Sequence, residues 1–263
     1  MLNIVVTVKQ VLDPEAPAST FKIDPRTERV VPAQGVPPVL NPYDENALEA
    51  ALRIKDFSHS RITVISSGAK LAKPVLRKSL AAGADELVLL EDDAFGDLDS
   101  YGTALILAAA IRRIGRFDLI LTGRLAADTL AGQVGSAIAE ILDIPSVTLA
   151  RRVDISQDRV RVERVLPDGY EIVEVPLPAL VTVSHECGQL RNVALGELRA
   201  AKDKPTTILS LKHLGMESLP TGKTRTIKLF TPLKQARCEI IEGKNEEEAG
   251  IGLALRLRNA KVI

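Results

Sequence analysis

Residues 117–143 read FDLILTGRLAADTLAGQVGSAIAEILD. The stretch opens on a short apolar run ending at Gly123, passes through a loop holding one acid, Asp128, and closes on a helical pattern from Ala131 onward. A brief apolar run bounded by glycine reads as a strand buried on both faces, and its delivery into a helix is half of a βαβ unit. The helix-opening side of such a turn carries N–H groups with no internal partner. It can therefore hold an anion, or serve only as a tight connection.

The same rhythm extends outward. NIVVTV (3–8), RITVIS (61–66) and ELVLLE (86–91) repeat the strand pattern, and helical patterns occupy 44–56, 70–83, 100–115 and 131–143. This alternation predicts an α/β fold of three layers, a parallel sheet between two layers of helices joined by right-handed crossovers. Asp44, two residues after Pro42, is expected to be the N-cap of its helix. Gly83 and Gly115 are expected to end theirs in the left-handed conformation. Pro74 fits the first turn of a helix that begins near Lys73.

From residue 146 the texture changes. SVTLARRVDI, DRVRVERVL and YEIVEVPLP are strand-like and separated by turn residues, so an antiparallel hairpin is expected before a final buried strand at ALVTVSHE, 179–186. Residues 215–234 mix Gly, Pro, Thr and Lys with no apolar period and read as an extended connector. NEEEAGIGLALRLRNAKVI (245–263) resumes a helical stripe on Ala249, Leu253 and Leu257. A lone helix of this length needs an apolar face to dock against. The long connector favours docking on another chain. The expected division is an α/β domain over 1–214 and an extended arm ending in a helix over 215–263.

Composition narrows the function. The chain has 263 residues, 46% hydrophobic, with 34 basic and 34 acidic side chains and no net charge, so it lacks the general field that attracts nucleic acid. Its two cysteines, Cys187 and Cys238, form no CxxC or Cys/His cluster, which argues against structural zinc and for a reducing compartment. The opening apolar run meets Lys9 and Pro14 too soon for a signal sequence or a membrane span. A cytoplasmic protein is expected. With no Trp and 3% aromatics, the core must be built from Ala, Leu, Ile and Val, which suits helices on a parallel sheet.

Three strand ends bring small or capping residues to one edge of such a sheet. In the 123–135 loop, Gly132 and Gly135 let a phosphate approach the backbone, and Asp128 and Gln133 offer hydrogen bonds to ribose or base. A plain strand-to-helix turn would need the same glycines. Asn41, Pro42 and Asp44 aim a helix N-terminus at the end of the first strand, and Ser66 and Gly68 leave the second. Each has a bland reading by itself, but their convergence suggests a nucleotide along the sheet edge. Neither GxGxxG nor GxxxxGK[ST] occurs. No catalytic set appears: His59, His185 and His213 stand apart, and the adjacent trio His185, Glu186, Cys187 reads as a strand end. EDD at 91–93 reads as surface and EEE at 246–248 as a helix first turn. A hydrolase or ligase of related fold, or a stand-alone nucleotide sensor, is the rival class; the first needs a phosphate-gripping loop plus a base, and neither is evident.

The order MLNIVVTVKQVLDP, VLNPYDENALEAALRIKD, LVLLEDDAF, FDLILTGRLAADTLAGQVG, VERVLPDGYEIVEVPLPALVTV and LRNVALGELRAAKDKP, through to the terminal AKVI, resembles the electron transfer flavoprotein β-subunit family along essentially the whole chain. The resemblance implies a sheet like that of the adenine nucleotide α hydrolases. It also implies a noncatalytic half of an αβ heterodimer that carries electrons from flavin dehydrogenases to a quinone-linked membrane acceptor. The α subunit would hold most of an FAD, and this chain would complete that site and hold AMP or a second FAD. The implied nucleotide residues are Thr7, then Asn41, Pro42, Tyr43 and Asp44, then Ser66. The loop from Gly123 adds Arg124, Ala126, Asp128, Thr129, Gly132, Gln133, Val134 and Gly135. A protruding Leu195 is implied to contact partner dehydrogenases. Leu125, Leu130 and Ala131 replace the family's more polar residues, so the choice between AMP and FAD stays open; Gly196 replaces the usual proline after Leu195, which implies a more flexible recognition loop.

Overall fold

The structure is a computed structural model and describes residues 1–24, 26, 29–32, 35–231 and 238–263. In chain order its first half contains β1 (Leu2–Thr7), β2 (Gln10–Val11), β3 (Phe21–Asp24), β4 (Arg29–Pro32), β5 (Val39–Leu40), α1 (Pro42–Phe57) and β6 (Ser60–Gly68). Next come α2 (Lys73–Leu76), α3 (Lys78–Ala82), β7 (Glu86–Glu91), α4 (Ser100–Ile114), β8 (Leu119–Gly123) and α5 (Val134–Leu142). The remainder holds β9 (Ser146–Ser156), β10 (Arg159–Leu166), β11 (Gly169–Pro176), β12 (Ala179–Val183), α6 (Leu195–Ala200), β13 (Thr206–Leu209) and α7 (Glu246–Asn259).

One sheet runs in the order β11-β10-β9-β12-β8-β1-β6-β7-β13. Every neighbouring pair from β9 across to β13 is parallel, while β9, β10 and β11 form an antiparallel meander. Successive side chains of a strand point to opposite faces, and here both faces are covered. Ile4, Val6, Ile62 and Leu121 join a cluster with Leu48 and Leu52 of α1 and Leu76 and Leu80 of α2 and α3. Val5, Ile65, Val88 and Ile120 join Leu107 and Ile111 of α4 and Ile138 of α5 on the other side. The three-layer α/β fold with its added antiparallel hairpin is as expected.

Several boundaries differ for local reasons. The helix expected over 70–83 divides into α2 and α3, because the Ser79 hydroxyl donates to the Leu76 carbonyl at 2.6 Å and competes for the acceptor a continuous helix would use. Pro74 lies in the first turn of α2, and Gly83, at φ 131°, ends α3. α5 starts at Val134 rather than Ala131, since Gly132 holds φ 63° and cannot belong to a right-handed helix. The strand at 179–183 lies mid-sheet between β9 and β8, and β13, which no sequence pattern announced, extends the far edge. The EDD run is not a free surface: Glu91 accepts from Leu71 N at 3.1 Å, and Asp92 from Ala94 N and Leu211 N, each at 3.1 Å.

The described chain forms two compact units, Met1–Ile227 and Lys228–Ile263. In the first, the stretch after β13 stays against the sheet layers: Met216 and Leu219 pack on the α4 side, and Asp99 Oδ2 accepts from Lys223 N at 2.6 Å and Thr224 N at 2.9 Å. In the second, Asn245 caps α7 by accepting from Glu248 N at 2.8 Å. Glu246–Glu248 stand in its first turn and Arg256 and Arg258 in its last, complementing the helix dipole. No residue of α7 is buried, and Ile251, Leu253 and Leu255 are exposed.

Leu121 has no solvent exposure and sits where β8 meets the α1 layer. Leu121→Ala is expected to lower unfolding free energy by about 2–5 kcal/mol in urea titration, because the surrounding layers cannot close the cavity.

Candidate functional site

Parallel neighbours end on the same side, so the carboxyl ends of β1, β6, β8 and β12 line one edge of the sheet. α1 begins at that edge with Pro42 in its first position, where a missing N–H is harmless, preceded by Asn41. The Asn41 carbonyl accepts from Asp44 N at 2.9 Å and Glu45 N at 3.0 Å. Pro42 therefore sets the start of the helix, and Asp44 is its third residue rather than its cap. Freed from capping, the Asp44 carboxylate reaches two strand exits: Oδ2 accepts from Lys9 N at 2.7 Å and Oδ1 from Gly123 N at 3.1 Å. Asn41 does similar work for the following loop, donating to Leu125 O at 2.9 Å and accepting from Ala127 N at 3.0 Å.

Glycine is required where these pieces meet. A Cβ on Gly123 would fall 2.5 Å from Asp44 Oδ1 and 2.6 Å from the Tyr43 carbonyl carbon. A Cβ on Gly135 would fall 2.6 Å from Thr122 Oγ1 and 2.9 Å from Thr182 Cγ2, so the first turn of α5 rests directly on β8 and β12. Lys9 Nζ pairs with Asp128 Oδ2 at 2.6 Å and ties the β1 exit to the loop. Ala126 contributes its carbonyl, which accepts from Leu130 N at 2.8 Å. Asn41 and Asp44 are thus engaged in holding backbone, and Asp128 is engaged by Lys9.

The groups left over include main-chain donors and a buried hydroxyl. α5 has no capping side chain and no acid in its first turn. Among the described residues, the N–H groups of Val134, Gly135 and Ser136 meet no acceptor. Ser66 Oγ is buried with no hydrogen-bond partner, and Thr7 is buried at the end of β1. Thr129 and Gln133 are exposed on the loop and Val134 is half-buried at the helix start. Uncapped N–H groups at the carboxyl edge of the sheet form an anion-accepting notch.

On the other side of the α1 N-terminus lies a groove of about 790 Å³ between Tyr43, Arg124 and the 189–193 segment. The Arg124 guanidinium stacks over the Tyr43 ring, 4.9 Å from its centre, and Arg124 Nε is buried without a partner. The trio His185, Glu186, Cys187 forms a 3-10 turn after β12, and burial pushes the Cys187 thiol up. Among the described residues no group of His, Cys, Asp and Glu is arranged to hold a metal. Sequence reading passed over Lys9, and also Glu49 and Arg191, whose link is described below. Lys9 lies two residues past β1, and Glu49 shares a helical stripe with Asn46, Arg53 and Asp56; those spacings were the available signals.

An open parallel sheet with a notch at its strand ends and a helix N-terminus facing it defines the α/β class that takes ligands at a carboxyl edge. The electron transfer flavoprotein domain family matches residues 29–212, and the chain belongs to that family, among its β subunits. It is 40% identical to the electron transfer flavoprotein subunit beta of Thermoanaerobacterium thermosaccharolyticum, with both chains covered completely. It is 38% identical to the caffeyl-CoA reductase-Etf complex subunit CarD of Acetobacterium woodii, again over the whole of both. Protein FixA of Azotobacter vinelandii is 33% identical, covering 96% of this chain and 92% of its own length.

Gly123→Ala is expected to cost about 1–3 kcal/mol in urea unfolding, because the new methyl displaces backbone at the α1 start. Gly250→Ala, in open space on α7, should be neutral or slightly stabilising. Burial pushes the Asp44 carboxyl up to about 7 from 3.8, against the hydrogen bonds it accepts. A raised folded-state pKa gives stability that is complete below the unfolded value and lost as pH climbs through the folded one. Wild-type unfolding midpoints should therefore fall as pH climbs from about 4 to about 7, the interval between the two values, and Asp44→Asn should remove that part of the slope.

Proposed function

We propose that this chain is the β subunit of a heterodimeric electron transfer flavoprotein and that it works by placement. In this reading it holds an adenine nucleotide, AMP or a second FAD, at the carboxyl edge of the sheet. It also completes an FAD site carried mainly by an α partner. The heterodimer passes electrons from flavin-dependent dehydrogenases to a quinone-linked membrane acceptor. The single observation that carries the nucleotide assignment is the α5 N-terminus: free first-turn N–H groups, no competing acid, and Gly135 bringing that turn down onto β8. The fit extends to Ser66, whose buried hydroxyl lacks a partner and can serve a ribose or phosphate oxygen.

When bound, the flavin supplies the electron-transfer chemistry, and the protein supplies binding, orientation and local field. Asp44 and Asn41 hold the main chain of the 123–127 loop, so the donors there are set before a ligand arrives and lose little freedom on binding. Thr7, Ser66, Gly132 and Gln133 bound the pocket, with the phosphate on the α5 amides. The groove beside Tyr43 and Arg124 is the surface assigned to the shared flavin, where the stacked ring and guanidinium offer an aromatic face and positive charge. The unit from Lys228 onward is the arm that grips the α subunit through the exposed Ile251, Leu253 and Leu255 of α7. Leu195 on α6 is the contact for partner dehydrogenases.

No helix among the described residues is long and apolar enough to cross a membrane. The chain is read as a noncatalytic carrier subunit, which the relatives named as electron transfer flavoprotein subunits support. The test is to purify the chain with its co-expressed α partner, denature the complex, and count the nucleotides released. One FAD with one AMP per heterodimer, or two FAD, is expected. A colourless chain that purifies alone and hydrolyses ATP would overturn the proposal in favour of the hydrolase class.

A further inference from the structure

Along the side of α1, away from the notch, a second set of side chains is spent on one short piece of chain. Asn46, Glu49, Arg53 and Asp56 recur at three- and four-residue spacing and so share a stripe of the helix. Their partners all lie between the end of β12 and the start of α6. Asn46 Nδ2 donates to Gly188 O at 2.6 Å, and Arg53 Nη1 donates to Cys187 O at 2.6 Å. The Arg191 N–H and Nε donate to Glu49 Oε2 at 3.0 and 3.1 Å, and Nη2 donates to Oε1 at 3.2 Å. The outer face of the same guanidinium donates to Asp56 at 2.8 and 3.2 Å. Burial acts to raise the Glu49 carboxyl, but the hydrogen bonds and charge of Arg191 outweigh it and hold the group below its ordinary range.

This is a costly way to fasten a loop. Glu49 is 5% exposed, and a buried carboxylate that loses its partner is strongly unfavourable. The fold itself gives no reason for it, since α1 and β12 are already joined through the core. What the clamp does hold is the approach to α6, a six-residue helix with no buried residue of its own. Beyond α6, Lys204 Nζ donates to Leu80 O at 2.8 Å and Ala84 O at 2.7 Å. The helix therefore spans two anchors, and it presents Leu195 at 75% and Leu198 at 42% exposure.

We propose that the Glu49–Arg191 clamp is a positioning device that fixes the entry to α6, so that Leu195 and Leu198 meet a partner dehydrogenase in one prepared orientation. This rests on the reading that Leu195 contacts such partners. Without the clamp, the entry to α6 would be less tightly held while Lys204 still fixes its far side, and part of the cost of ordering that entry would fall on each docking event.

The test uses the intact αβ heterodimer and, as probe, a flavin-dependent dehydrogenase reduced by its own substrate that donates to the wild-type heterodimer. Glu49→Gln and Arg191→Lys should each raise the apparent KM for the dehydrogenase about tenfold, with kcat within about twofold and nucleotide content unchanged. Leu195→Ala should raise KM comparably, and the Glu49→Gln/Leu195→Ala double variant should add little more, because both act on one contact. Hydrogen exchange of the 189–200 amides should quicken in Glu49→Gln and stay unchanged in Leu195→Ala. A raised KM for Leu195→Ala with wild-type KM for both clamp variants would overturn the positioning role alone. An unchanged KM for Leu195→Ala would instead remove the docking reading beneath it. Arg191→Lys keeps the charge, so the comparison survives if Glu49→Gln fails to assemble.

Discussion

The carboxylate of Asp44 is the joint on which the carboxyl edge of the sheet depends. It is buried, and its two oxygens take one amide from the exit of β1 and one from the end of β8. Those strands are neighbours, and α1 carries the acid between them, so a single side chain fixes the position of a helix N-terminus against two strand ends. Gly123 is the steric counterpart of this bond: only a residue without a Cβ lets the end of β8 come so close. The consequence reaches the next loop, where Asn41 repeats the device on Leu125 and Ala127 and Lys9 reaches Asp128. With the loop held from beneath, α5 can begin directly over β8, and its first N–H groups are left facing outward.

The division of labour at this edge is unusual for residues of such polar character. Asp44, Asn41 and Asp128 would be natural ligands for a ribose, yet each is engaged by the protein's own backbone or by Lys9. The groups with capacity to spare include main-chain amides and the Ser66 hydroxyl. In the proposed function such a site would recognise a phosphate by dipoles already oriented by the fold, and would depend little on loop side chains such as Leu125, Leu130 and Ala131. α1 serves two sites at once. Its first turn organises the notch, and its flank anchors the 187–191 segment through Asn46, Glu49 and Arg53. One rigid helix thus sets the geometry between the proposed nucleotide and the surface offered to a partner.

Much of this architecture was legible in the sequence because parallel strands buried on both faces leave a strong apolar signature. The runs at 3–8, 61–66, 86–91 and 117–123 correspond to β1, β6, β7 and β8 within a residue or two at each end. The failures share a cause, which is competition invisible to periodicity. Ser79 diverts a carbonyl and divides a helix; Gly132 turns left-handed and delays another; Pro42 starts α1 early and releases Asp44 from capping. β13 is a four-residue edge strand whose identity comes only from pairing with β7. At the notch, the positions that come together were legible, but the role of each was not. Sequence spacing cannot show that an Asp three residues into a helix will bond backbone 35 and 79 residues away. The family resemblance covers the whole chain, as the comparisons with relatives of known name bear out.

The central physical statement is that an adenine nucleotide is gripped chiefly by main-chain N–H groups at the start of α5. The most direct test is the amide spectrum of the 15N-labelled chain, assembled with its unlabelled α partner and stripped of nucleotide, as AMP is added. The largest shifts should fall on Gly132 to Ser136 and on Ser66, with smaller ones at Asn41. Shifts confined to other parts of the chain, or none at saturating AMP in a complex whose flavin site is intact, would contradict it.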